Sequence, residues 1–71
     1  MQNTKLTYAN LSDADLSYAN LNDSDAGYAV FNGANLLNAT FQNAWLAYGY
    51  FRNTNRTGTN FSGATTNFVE W

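Results

Sequence analysis

Seventy-one residues, 45% hydrophobic and 17% aromatic, describe one small domain: too apolar for a disordered linker and too short to enclose a large catalytic pocket. Cysteine, histidine and proline are absent, which removes disulfide staples, thiolate and imidazole chemistry and the usual zinc ligands together. The formal net charge of -2 is unevenly spread, since Asp13, Asp15, Asp23 and Asp25 outweigh Lys5 in the first third while Arg52 and Arg56 outweigh Glu70 later.

Three scattered basic residues cannot line a phosphate backbone, so nucleic acid is not an expected partner. The longest apolar stretch, residues 44–51, is interrupted by Gly49 and falls short of the roughly 20 residues a membrane helix takes. Residues 1–5 lead into no apolar core of signal-peptide type. No membrane partner is therefore expected, and the cytoplasm is the default location.

From Thr4 onward the chain divides into consecutive fives: TKLTY, ANLSD, ADLSY, ANLND, SDAGY, AVFNG, ANLLN, ATFQN, AWLAY, GYFRN, TNRTG, TNFSG, ATTNF and VEW. Residues 4–71 form a single domain in this register, and residues 1–3 stand outside it as an N-terminal extension. Numbering each five from -2 to +2, the centres are Leu6, Leu11, Leu16, Leu21, Ala26, Phe31, Leu36, Phe41, Leu46, Phe51, Arg56, Phe61, Thr66 and Trp71. Position -2 holds mostly Ala, with Ser24, Gly49, Val69 and three threonines in the remaining fives.

A period of five matches neither regular element. Five residues advance an α-helix by about 140°, which would wind the leucines around its whole circumference. In a flat strand an odd period sends successive centres to opposite faces. A one-sided core results if each five makes a short extended step, with -2 and 0 inward and -1 outward, and then turns a corner through +1 and +2. Repetition of that step winds a solenoid. Asn, Asp, Ser and Gly at the corner positions agree with this reading.

The fives ANLSD, ADLSY, ANLND and ANLLN resemble the A(D/N)LXX signature of the pentapeptide-repeat family, and the register carries the resemblance over residues 4–71. The resemblance implies an all-β fold, a right-handed quadrilateral β-helix with twenty residues to each coil. Twenty-residue layers place Tyr8, Tyr28, Tyr48 and Phe68 in one outer column, and stack Leu11, Phe31, Phe51 and Trp71, and Leu21, Phe41 and Phe61, inside. Fifteen-residue layers would mix Tyr8 with Asp23, Asn38 and Asn53. Four sides is the better reading, giving about three and a half coils at about 4.8 Å each.

No segment has the apolar period of a capping helix, so both coil ends are expected to be bare. Leu6, Leu11, Leu16 and Leu21 then form an apolar platform at the first coil. Arg56, Phe61 and Trp71 lie at the other end, where Arg56 occupies a core slot and must lean out, because burying an unpaired guanidinium is prohibitive. Stacking of coil ends into a homo-oligomer, as a dimer or an open filament, is the expected use of these surfaces.

The column Tyr8, Tyr28, Tyr48, Phe68, with Trp45 beside it, has two readings. It is a ladder of rings that stiffens the coil, or it is a docking side for a protein partner. The four aspartates look at first like a calcium site, but the EF-hand spacing from Asp23 would need a Glu where Ala34 stands. Asp15 and Asp25 instead share the -1 slot with Asn10, Asn20 and Asn35. Stacked -1 residues such as Asp15, Asn35 and Asn55 are expected to form amide ladders between layers. The Asn-X-Ser/Thr sequons follow from the repeat itself. No metal, cofactor or catalytic residue is expected. The function read from the chain is a non-enzymatic scaffold, and the alternative implied by the resemblance is a DNA-mimicking inhibitor of DNA gyrase, for which this rod is short and its acid confined to one end.

Overall fold

At every fifth residue the backbone enters the left-handed region: Asn3 (φ 59°), Tyr8 (62°), Asp13 (61°) and Tyr18 (61°) begin a series that ends at Phe68 (60°), with Gly33, Gly58 and Gly63 in the same slot. The computed structural model describes all 71 residues and repeats this one corner throughout. Each corner is a four-residue turn, as where the Ala9 N–H donates to the Leu6 carbonyl at 2.9 Å. Positive φ at the third residue is what a type II turn requires, and Asn, Asp and Gly reach it most readily.

Between corners, each -1 residue pairs in parallel with the residue twenty positions on. The first face carries Lys5, Asp25, Trp45 and Thr65, the second Asn10, Val30, Tyr50 and Glu70, the third Asp15, Asn35 and Asn55, and the fourth Asn20, Thr40 and Asn60. The chain is a repeat β-helix solenoid with four sides.

One five shows how the backbone is satisfied. The Ala34 N–H closes the corner on the Phe31 carbonyl (2.9 Å), and the Asn35 N–H reaches the Ala14 carbonyl one coil below (2.9 Å). Leu36 and Asn38 donate to the Asn55 and Thr57 carbonyls one coil above, both at 2.8 Å. That leaves the Leu37 N–H, which donates to the Asn35 side-chain oxygen at 3.1 Å. Backbone donors left unpaired in an interior cost free energy. An acceptor at -1 therefore completes the accounting, and this is the physical content of the D/N in A(D/N)LXX.

The same Asx turn recurs at Asn10, Asp15, Asn20, Asp25, Asn55 and Asn60, each accepting from the N–H two residues on. The expected amide ladders at -1 are thus corrected: the side chains are held by their own corners. Side-chain amide oxygens reach the backbone of the coil above at +1, where Asn22 accepts from the Gln42 N–H (2.8 Å) and Asn32 from the Arg52 N–H (2.9 Å).

Inside, positions -2 and 0 form one cluster of eleven buried residues, from Leu21 to Phe51. Phe31 stacks under Phe51 at 4.6 Å and Phe41 under Phe61 at 5.2 Å, while Phe41 meets Phe31 and Phe51 edge-on at 5.7 and 5.9 Å. Both arrangements are favoured by the ring quadrupole. The -2 alanines are small because two side chains per five share each layer. Where Ser24 replaces Ala, its hydroxyl donates to the Met1 carbonyl at 2.8 Å and accepts from the Thr4 N–H at 3.3 Å.

That contact corrects the reading of residues 1–3 as an extension. Met1 occupies a centre slot below Leu21, Asn3 turns the corner, and its N–H donates to the Asn22 carbonyl at 3.0 Å. Leu21 is fully buried and is not part of an open platform. Leu6, Leu11 and Leu16 are half-buried and packed against the core cluster.

Candidate interaction surfaces

The aromatic column forms as the twenty-residue spacing dictates. Tyr8 stacks on Tyr28 and Tyr28 on Tyr48 at 4.9 Å, and Tyr48 on Phe68 at 5.0 Å, all within 12° of parallel. The column stands on the edge between the first and second faces. Its outer members Tyr8 and Phe68 are about 70% exposed, and the two between them somewhat less. Trp45 lies beside it on the first face, its indole against Gly27, where a β-carbon would come within 3.2 Å of the pyrrole edge. Tyr50 and Val30 flank the column on the second face.

The remaining faces are polar. Asp15, Asn35 and Asn55 on the third and Asn20, Thr40 and Asn60 on the fourth are occupied by Asx turns or by the Thr40–Asn20 contact. The hydroxyl and backbone N–H of Ser17 hold the Asp15 carboxyl below its ordinary value. The aspartates make no group of three or more metal-ligating side chains, and no pocket forms on the molecule.

The last coil differs from the first. Trp71 packs on Phe51 at 5.4 Å and edge-on to Phe61 at 5.3 Å, and the Arg56 guanidinium sits 4.7 Å above the Trp71 ring. Arg56 therefore leaves its core slot and finds a cation–π partner across the end of the coil. Sequence reasoning missed this pair, which joins residues one face apart. It also missed the Arg52–Glu70 ion pair at 2.6 Å, an exposed contact of small energetic weight. Of the site residues expected from sequence, the structure brings Tyr8, Tyr28, Tyr48, Phe68 and Trp45 together on one edge. Arg56, Phe61 and Trp71 meet at one end, Leu6, Leu11 and Leu16 lie at the other, and Leu21 alone is withdrawn from any surface.

A four-sided solenoid of five-residue steps, built on Asx-capped corners, defines a repeat-solenoid protein. The family model for pentapeptide repeats matches in eight copies, over residues 1–33, 14–47 and 34–65, and the chain belongs to that family. Among solved structures the chain is similar to HetL, a pentapeptide repeat protein involved in heterocyst differentiation regulation from the cyanobacterium Nostoc sp. strain PCC 7120. The two share 27% identity and a TM-score of 0.65, over 93% of this chain and 38% of HetL, so the chain spans well under half that protein's length. No curated protein matches the chain.

Proposed function

We propose that this chain is a non-enzymatic structural module, a right-handed β-helix of about three and a half coils, which associates with further copies through its coil ends and offers its sides for protein contacts. The right-handed sense follows from the strong preference of crossovers between parallel strands. The involvement of HetL in regulation supports a role in molecular contact.

The observation that carries the reading is the complementarity of the two ends. In mid-coil the carbonyls of Asp25, Val30, Asn35 and Thr40 accept from N–H groups one coil below. The equivalent carbonyls of the first coil, on Lys5, Asn10 and Asp15, face outward along the axis. On the last coil the matching donors, the N–H groups of Phe61, Thr66 and Trp71, face the other way. A head-to-tail copy can set Leu6 over Phe61, Leu11 over Thr66 and Leu16 over Trp71, closing apolar surface and backbone pairing together. Because Met1 already fills a centre slot, this register leaves each copy a quarter turn out of line with the last.

A contact of that kind is heterologous and propagates, whereas a two-fold joining of leucine ends stops at two. Light scattering over a concentration series, followed by electron microscopy, tells them apart. Leu11→Lys places a charge in the first end and is expected to shift the protein toward monomer. A parent chain that stays monomeric at high micromolar concentration overturns the reading.

A further inference from the structure

We propose that the first face and its aromatic edge form a two-fold interface with a second copy of the chain, packed antiparallel. This surface is separate from the coil ends. Up the face run Lys5, Asp25, Trp45 and Thr65, one to a coil, and up the edge beside them run Tyr8, Tyr28, Tyr48 and Phe68. Height along a solenoid follows residue number. A two-fold axis lying in the face, perpendicular to the coil axis and at mid-height, therefore exchanges Tyr28 with Tyr48 and Tyr8 with Phe68. On the face it sets Asp25 opposite Trp45 and Lys5 opposite Thr65. Both sets share one axis to within about 1 Å at a rise of about 4.8 Å per coil.

The chemistry of those pairs selects a second copy as the occupant. Trp45 is 53% exposed and offers an indole N–H, and the residue brought opposite it is the acceptor Asp25, twice over by symmetry. Ring meets ring at every level of the edge. No like charges are placed together, since Lys5 faces Thr65 and, at the other edge, Asp23 faces Asn43. A parallel two-fold does the reverse. It sets Lys5 on Lys5 and Asp25 on Asp25, and it turns the aromatic edge of each copy toward the Asn3–Gly63 edge of the other, so that the columns never meet.

The size is adequate. The molecule measures 19 × 18 × 17 Å, so one side is about a sixth of its 3888 Å² surface. Two such sides bury about 1,300 Å², within the range of specific interfaces. Aromatic residues at the centre with polar residues around them match the usual composition of such contacts.

The test is Lys5→Cys with Thr65→Cys in one chain. These positions lie three coils apart on the same face and cannot join within a molecule. Mild oxidation, read by non-reducing electrophoresis and intact mass, is expected to give a closed dimer carrying two disulfides. A disulfide-linked ladder of higher multimers overturns the antiparallel arrangement, and so does a chain that remains a monomeric thiol. In sedimentation velocity, Trp45→Ser is expected to raise the dimer dissociation constant at least tenfold with the far-ultraviolet circular dichroism unchanged. An unaltered constant overturns the proposal. Failure of end stacking is distinguishable, because it removes the larger non-covalent assemblies from light scattering and leaves this disulfide-closed dimer.

Discussion

Tyr28 and Tyr48 stack with centroids 4.9 Å apart and planes 4° from parallel, and each does so from a backbone with φ near +60°. The left-handed region costs a bulky L-residue about 1–2 kcal/mol, and a stacked aromatic pair returns about 0.5–1.5 kcal/mol. A ring with neighbours above and below recovers its strain. Tyr18 has the same φ of 61°, but its column continues as Asn38 and Gly58, so it recovers nothing by stacking.

Tyr18→Asn is therefore expected to stabilise the fold by about 1 kcal/mol, because Asn tolerates the corner better than Tyr. Tyr28→Asn is expected to destabilise by about 1 kcal/mol, since two stacked contacts are lost against the same relief. Denaturant melts of both variants check this. Shifts of the same sign would show that the ladder contributes no energy.

Phe41 is fully buried and touches three other phenylalanines. Phe41→Ala is expected to cost about 3–5 kcal/mol as a large-to-small change in the core, enough to unfold so small a domain. Phe68, 71% exposed at the end of the ladder, is the control, and its replacement by Ala is expected to cost about 1 kcal/mol. Circular dichroism with thermal melting separates the two.

Gly33 stands directly above Asp13 in a corner with φ 74°, and a β-carbon there would collide with the Asp13 carboxylate. That carboxylate can rotate away, but the backbone angle cannot relax without leaving the turn. Gly33→Ala is expected to cost about 1–2 kcal/mol. Adding Asp13→Ala should recover only a minor part, and a full recovery in melting experiments would place the cost in the contact instead of the angle.

The Asp15 carboxyl accepts from the Ser17 hydroxyl at 2.7 Å and from the Ser17 N–H at 3.1 Å, and these bonds favour its ionised form. Its folded value lies below the ordinary 3.8, so its contribution to stability is fully present above that value and is lost as pH falls through the lower, folded one. Carboxyl chemical shifts followed against pH are expected to give a midpoint below 3.8 in the parent. In Ser17→Ala, with the hydroxyl bond gone, the midpoint should rise toward 3.8. A midpoint that does not move would assign the shift to another cause.

The corner chemistry was only partly legible. Asn, Asp and Gly at +2 announce a left-handed residue, and so does Asn3, which precedes the register counted from Thr4. Tyr8, Tyr18, Tyr28, Tyr48 and Phe68 announce nothing of the kind, since large rings rarely take positive φ. The role of the -1 acceptor was hidden for a different reason. An Asn every five residues suits either a ladder between coils or a turn within one, and only the position of the Leu37 N–H, unreachable by any neighbouring carbonyl, decides for the turn.

By itself the sequence determined the period, the twenty-residue echo and hence which residues share a column, because a strict repeat converts spacing into position without reference to any distant contact. The tertiary structure decided what the repeat cannot encode, namely how its ends are finished. The Met1 carbonyl takes the Ser24 hydroxyl, and Arg56 swings from a core slot onto Trp71. At an end, a side chain loses one of its two stacking neighbours. Its place is then set by residues on other faces, whose distance along the chain carries no periodic signal.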